Sequence, residues 1–171
     1  MAENSLMNEA QPVSFGARLA NSQAFADLFR DGMALVEETA TYLDGPGRQE
    51  SKKLERAAAL AYATESMRLT TRLMQLASWL LLHRAVKEGE MTLNQANREK
   101  TKVKLSAADP GPDDMLEKLP QPLQDLIARS MVLQSKVRRL DTSIHAPVAE
   151  RAAIGNPLVP QLNRLKAAFE Q

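Results

Sequence analysis

A long uninterrupted run of helix-forming residues, from Ser51 to Gly89, constrains the fold more than any other feature of this sequence. The run has no proline and no internal glycine, and alanine, leucine, methionine, arginine and glutamate fill most of it. Ser51 is suited to cap the start of a helix and Gly89 to terminate it. At about 1.5 Å per residue the helix would be roughly 55 Å long, which exceeds what one small core covers on both sides. We therefore expect one long, unbroken helix in an αα-bundle with a second subunit.

Two apolar stripes run along this predicted helix. The stripe whose residues step by three, four or seven, which is typical of a core-facing surface, comprises Tyr62, Leu69, Leu73, Leu76, Leu80 and His83. A second stripe, a quarter-turn or more away, comprises Leu60, Ala63, Met67, Met74, Ala77 and Leu81. A helix that is apolar on two faces lies at the centre of a bundle or packs across a dimer axis. The second stripe therefore faces either the third helix of the same chain or another subunit, and we assign its most prominent residues to a dimer face: Leu60, Met67, Met74 and Leu81.

Two further helices are predicted around the long one. Residues from about 21 to 43 carry a broad apolar face, and Asp44-Gly45-Pro46-Gly47 then forms a short turn, so this helix and the long one should be antiparallel neighbours. Thr92 is suited to cap a short helical turn after the long helix. A third helix, from about 120 to 142, has near-strict heptad spacing and should pack nearly parallel to another long helix. Its seam residues are Leu119, Leu123, Leu126, Ser130, Leu133, Val137, Leu140 and Ile144.

The predicted architecture is all-α: an antiparallel three-helix bundle over residues 21–142 with one long central helix. Residues 1–20 are expected to be a flexible arm, 100–116 a loop and 143–171 a largely disordered tail. The tail is interrupted by prolines but carries short apolar clusters. It either packs back onto the bundle or is a docking peptide that orders on binding, and its candidate partner-binding residues are Ile154, Leu158, Val159, Leu162, Leu165 and Phe169.

Composition excludes several classes of function. The chain has 171 residues, which fits one domain, and its net charge of +1 gives no electrostatic reason to bind nucleic acid or an acidic membrane surface. The absence of cysteine excludes disulfides, cysteine-ligated zinc and thiol catalysis. The N-terminus has no signal-peptide pattern, and charged residues flank the apolar run of the long helix too closely for a membrane span. We expect a soluble cytoplasmic protein that does not insert into membranes.

No catalytic motif is present, and we expect no enzyme activity, no cofactor and no metal site. His83 lies on the core stripe, where a lone histidine is usually a hydrogen-bonded packing residue, and His145 has no partner nearby in sequence. Polar residues interrupt the long helix at Glu65, Arg68 and Arg72. Glu65 is spaced to pair with Arg68. The two arginines either clamp a carboxylate or phosphate ligand or, as we favour, pair with acidic residues of the first helix: Glu37, Glu38 or Asp44.

Three segments resemble a known family: LFRDGMALVEETATYLDGPGR, AYATESMRLTTRLMQLASWLLLHRAVKEGEM and DLIARSMVLQSKVRRLD, which together cover about residues 25–141. They are similar to the alphaproteobacterial family of unknown-function proteins that includes the regulator of CtrA degradation. The resemblance implies a non-enzymatic, homodimeric helical adaptor that helps the ClpX unfoldase and ClpP protease recognise cell-cycle regulators. It also implies a priming response regulator, further adaptors, client proteins and recruitment to a cell pole.

Two other functions compete with this one. The first is a general interaction scaffold built on the same bundle. The second is a DNA-binding regulator that uses basic residues of the third helix, although the near-neutral net charge weighs against it because phosphate neutralisation supplies most non-specific affinity. The basic residues concerned are Arg129, Lys136, Arg138 and Arg139.

Overall fold

Six helices and no strand make up the described part of the chain, residues 22–102 and 111–145 of a computed structural model. Three long helices pack against one another, and the longest of them, with 32 residues, contacts both of the others. The prediction of an all-α bundle with one long central helix is therefore confirmed. The helices are α1 (Gln23–Asp44), α2 (Pro46–Ser51), α3 (Arg56–Lys87), α4 (Leu93–Lys102), α5 (Asp113–Leu116) and α6 (Gln121–His145).

Local capping explains several helix ends. The side chain of Ser22 accepts a hydrogen bond of 3.3 Å from the Phe25 N–H and starts α1. The Thr92 hydroxyl accepts from the Gln95 N–H at 3.2 Å, while Gln95 Oε1 accepts from the Thr92 N–H at 2.9 Å, which is a capping box at the start of α4. Gly89 has a φ of +76° just beyond the end of α3, a conformation that suits glycine after a helix. The predicted roles of Thr92 and Gly89 are thus confirmed.

The predicted start of the long helix was wrong. Ser51 ends α2, where its hydroxyl donates to the Arg48 carbonyl at 3.0 Å, and α3 begins only at Arg56. The separate α2 is held in place by close packing: a Cβ added at Gly47 would lie 2.5 Å from Tyr62 Oη and 2.8 Å from the Tyr42 carbonyl oxygen. The long helix is therefore interrupted over residues 52–55 by tertiary packing, although no glycine or proline occurs there.

Contacts between the long helices define their directions. The ring of Phe25, near the start of α1, lies 6.2 Å from that of Trp79 in the last third of α3, so α1 is antiparallel to α3 as predicted. Arg72 contacts Ser130, and Trp79 contacts Asp141, so α6 runs in the same direction as α3. Helix α1 therefore runs antiparallel to both α3 and α6.

The core lies where these three helices meet. All six residues of the predicted core stripe on α3 are buried. Eight seam residues were predicted for the third helix, and they lie along α6 and just before its start. Seven of them are buried, and the eighth, Leu140, is partly buried against the core. The residues that α1 contributes to the core are Phe25, Leu28, Leu35 and Tyr42.

The predicted loop and the predicted tail both include residues that are helical in the structure. Residues 100–102 complete α4, and residues 113–116 form α5 with Asp113 and Asp114 in its first turn, where carboxylates favour a helix start. Helix α6 continues to His145 because Ile144 is buried in the core. The predicted arm (1–20), the middle of the loop (103–110) and the tail from residue 146 onward lie outside the described residues.

Replacing Leu76, which is 1% exposed in the core, by alanine should lower the free energy of unfolding by about 2–5 kcal/mol, because a cavity remains. Val132→Ala removes an apolar side chain that is 56% exposed on α6 and should cost less than about 1 kcal/mol. Urea unfolding followed by circular dichroism measures both. Equal costs for the two variants would contradict the assigned core.

Candidate interaction surface

Helix α3 exposes four large apolar side chains at intervals of seven residues. Their exposed fractions are 69% for Leu60, 72% for Met67, 66% for Met74 and 53% for Leu81. This interval keeps them on one side of the helix, over roughly 32 Å. They are the residues that the sequence pattern assigns to a dimer face, and α6 of the same chain does not cover them.

This side of α3 carries no charge. From Ala57 to Leu82 the fully exposed positions hold only alanine, leucine, methionine and threonine. The three charged residues in the same stretch turn toward the bundle: Glu65 and Arg72 are buried, and Arg68 is half-buried. A solvated helix face usually carries charged side chains, so an exposed face with none is typical of a contact surface. We call this side of α3 the charge-free face.

Three hydroxyl groups beside the charge-free face are satisfied within the helix. Thr64 donates to the Leu60 carbonyl at 2.9 Å, and Ser78 donates to the Met74 carbonyl at 2.8 Å. Thr70 makes the same type of bond to the Ser66 carbonyl at 2.8 Å. Since these three donors already have acceptors one turn back, covering them with another protein surface leaves none of the three unpaired.

The inward-facing charges connect α3 to the rest of the bundle. Glu65 Oε1 accepts from Arg68 at 2.6 Å, as its spacing predicts, and from the Gly111 N–H at 3.1 Å. Arg72 donates to Ser130 Oγ on α6 at 2.9 Å. Because Arg72 is only 1% exposed, the two arginines do not form an open clamp for a ligand anion.

We predicted that these arginines pair with Glu37, Glu38 or Asp44 of the first helix, and for Glu38 this prediction was wrong. Glu38 of α1 pairs instead with Arg129 of α6 at 2.7 Å, and hydrogen bonding by Arg129 lowers the pKa of the Glu38 carboxyl. Arg68 is occupied by Glu65 in its own helix. The first helix is therefore tied to α6 by this ion pair, which the sequence pattern did not indicate.

A partly buried polar cluster joins α3, α4 and α6 near the C-terminal ends of α3 and α6. The indole N–H of Trp79 donates to Asp141 Oδ1 at 2.8 Å, and Lys100 donates to Asp141 Oδ2 at 2.5 Å. The His83 ring stacks on Trp79 with ring centroids 4.0 Å apart, and His145 Nε2 lies 3.3 Å from Asp141 Oδ1. We call these five residues the end cluster.

The end cluster corrects the expectation that His145 has no partner. His145 belongs to α6 and not to the tail, and its neighbour Asp141 lies four residues earlier on the same helix. This helical spacing was the signal available in the sequence. Burial lowers the pKa of both His83 and His145, with the nearby Lys100 ammonium contributing in each case, which favours the neutral form of both rings. His83 is a hydrogen-bonded packing residue, as expected: its Nδ1 donates to the Trp79 carbonyl at 3.0 Å.

A shallow groove between α1 and α6 bears charges of both signs. Asp27 and Asp31 line its α1 side, while Lys136 and Arg139 line its α6 side. Arg129, further along α6, is paired with Glu38. Three of the four basic residues considered for DNA binding therefore have acidic neighbours, which weakens the positive field that phosphate binding requires.

Two other predictions, on the tail and on membrane spanning, do not concern the charge-free face. The six candidate partner-binding residues of the tail, from Ile154 to Phe169, lie outside the described residues. Within residues 22–102 and 111–145, no helix combines the length and the apolar character needed to cross a lipid bilayer.

Comparisons with known proteins agree on one family. Residues 16–169 match the family described as protein of unknown function, DUF1465. The crystal structure of RcdA from Caulobacter crescentus CB15 is similar at 50% sequence identity with a TM-score of 0.63, covering 77% of this chain and 98% of that chain. A comparison with curated proteins finds no match. The chain belongs to the DUF1465 family of RcdA-like proteins.

Proposed function

We propose that this protein is a non-enzymatic adaptor that helps deliver cell-cycle regulators to the ClpX–ClpP protease. The observation that carries the proposal is the 50% identity to RcdA over 98% of that chain, because the RcdA family resemblance implies this role. The adaptor acts in the CtrA degradation pathway together with a priming response regulator and further adaptors. It is cytoplasmic and is recruited to a cell pole.

The arrangement of polar residues supports a binding function over catalysis. Glu65 and Arg72 are buried, and their observed partners, Gly111 and Ser130, connect α3 to other segments of the same chain. A catalytic group has to contact a substrate in an accessible pocket. These groups stabilise the packing of the bundle, and the exposed positions of α3 between Ala57 and Leu82 carry no charged or titratable group that could act in catalysis.

We propose that the charge-free face forms a homodimer through a second copy of α3. A two-fold interface brings the same patch of both subunits together, and a face without charge leaves no unpaired ion when it is covered. Leu60, Met67, Met74 and Leu81 have the heptad interval of two helices that pack side by side. The dimer leaves the α1–α6 groove available to other proteins.

The tail is the proposed contact for the protease machinery or its priming partner. Its apolar residues alternate with prolines and polar residues in a segment of 26 residues after His145, from 146 to 171. A short apolar motif on a tether binds a groove of a partner while the bundle holds the client. The residues concerned remain Ile154, Leu158, Val159, Leu162, Leu165 and Phe169.

Met74→Glu should convert the dimer to a monomer, because it places two like charges in an apolar contact. Size-exclusion chromatography with light scattering measures the mass, and circular dichroism checks that the helices remain. Val132→Glu is the matched control, since Val132 is also exposed, at 56%, but lies on α6; it should remain dimeric. A folded Met74→Glu variant that is still dimeric would refute the assigned contact.

Purified full-length protein should accelerate degradation of a cell-cycle client by ClpX–ClpP in the presence of the priming partner. A chain that ends at His145 keeps α6 complete and should lose the acceleration while remaining dimeric, because it lacks the tail. Replacing Leu162, Leu165 and Phe169 by serine is the control for length and should also abolish it. No acceleration by the full-length protein would contradict the adaptor function, whereas full activity of both variants would contradict the role of the tail.

A further inference from the structure

We propose that His83, Asp141 and His145 form a binding site for a transition-metal cation of the Zn²⁺ type. One ligand atom from each residue lies within 4.8 Å of the other two. The two nitrogens and one carboxylate oxygen are a donor set that zinc accepts, and three protein ligands leave a fourth position for water or another ligand. The sequence alone gives no reason to expect a metal, since the two histidines are separated by two helices and the intervening segments.

The separations suit a single ion. Two donors bonded to a tetrahedral zinc at about 2.0–2.2 Å lie roughly 3.3–3.5 Å from each other. His145 Nε2 and Asp141 Oδ1 are already 3.3 Å apart. Because all three donors lie within 4.8 Å of one another, the third reaches the same range by a side-chain movement of at most about 1.5 Å.

His83 has the tautomer of a metal ligand. The Trp79 carbonyl can only accept a hydrogen bond, so the bond of 3.0 Å places the proton of His83 on Nδ1. Nε2 then carries a lone pair, and this atom is buried, in a residue that is 0% exposed, without a hydrogen-bond partner. Buried polar nitrogens are rarely left unsatisfied. Metal-bound histidines usually donate their other N–H to a carbonyl or carboxylate, as His83 does.

The remaining members of the end cluster hold the carboxylate in place. Trp79 donates to Oδ1 of Asp141 and Lys100 to Oδ2, which orients the carboxylate as an outer ligand shell does. The Lys100 ammonium also repels a cation, so it should weaken binding. Imidazole donors favour zinc over magnesium or calcium.

The site is accessible from one side. A cleft lined by Leu93, Asn97, Lys100, Ile144 and His145 opens next to the end cluster, so an ion has an entry path to His145. A bound ion would join α3 directly to α6. Because His145 is the last residue of α6, the ion would fix the end of the bundle from which residues 146–171 continue.

Isothermal titration of ZnCl₂ into the full-length chain, prepared without a histidine tag, tests the proposal. We expect one saturable zinc ion per chain, no binding of MgCl₂, and a higher unfolding temperature with zinc. His145→Ala and Asp141→Asn should each weaken zinc binding at least about tenfold. Asp125→Asn, at an exposed position of the same helix, is the matched control and should bind zinc as the unaltered protein does.

Lys100→Gln separates a metal site from a merely structural cluster. The glutamine amide can still donate to Asp141 Oδ2 while the positive charge is removed, so zinc binding should tighten, an outcome that misfolding does not produce. The absorption spectrum of added Co²⁺, which reports coordination by nitrogen and oxygen, should appear with the unaltered protein and be lost in His145→Ala. Absence of saturable zinc binding at ~100 μM, unchanged binding in His145→Ala and Asp141→Asn, or no tighter binding in Lys100→Gln would each overturn the proposal.

Discussion

The inward orientation of the polar residues of α3 is the constraint on which the rest of the structure depends. A buried charge is costly unless it has a close partner, so each of these residues requires a specific neighbour at its own level of the bundle. Arg72 meets Ser130, and Trp79 meets Asp141 two turns further along. These contacts set the register of α6 on α3, which hydrophobic packing alone would leave free to slide.

The same orientation produces the surface that we propose for dimerisation. Because Glu65, Arg68 and Arg72 turn toward the bundle, nothing charged remains on the outer side of α3 between Ala57 and Leu82. Besides its buried apolar stripe, the helix thus has buried polar groups and a second, exposed apolar stripe, where an ordinary surface helix carries charges. The exposed stripe is stable if a second surface covers it, and a second copy of α3 provides an equally uncharged one.

Features encoded by local spacing could be predicted from the sequence. The heptad interval identified Leu60, Met67, Met74 and Leu81 as a separate face, and the spacing of three residues identified the Glu65–Arg68 pair. Contacts across the chain could not be predicted in the same way. Arg72 and Ser130 are 58 residues apart, and Trp79 and Asp141 are 62 apart, so only the packing of the helices reveals them. The interruption before Arg56 also has a tertiary cause, since Gly47 fits closely against Tyr42 and Tyr62.

The distance between two copies of Thr71 tests the central claim, that the charge-free face joins two subunits. Thr71 is exposed about midway along that face, and the chain has no cysteine, so Thr71→Cys carries one spin label per subunit. Helices that pack side by side are about 8–10 Å apart. Pulsed electron spin resonance should therefore give a label separation below roughly 25 Å, and a longer one for labels on Val132→Cys. A long distance at Thr71 with a short one at Val132, or no distance at either position, would contradict the account.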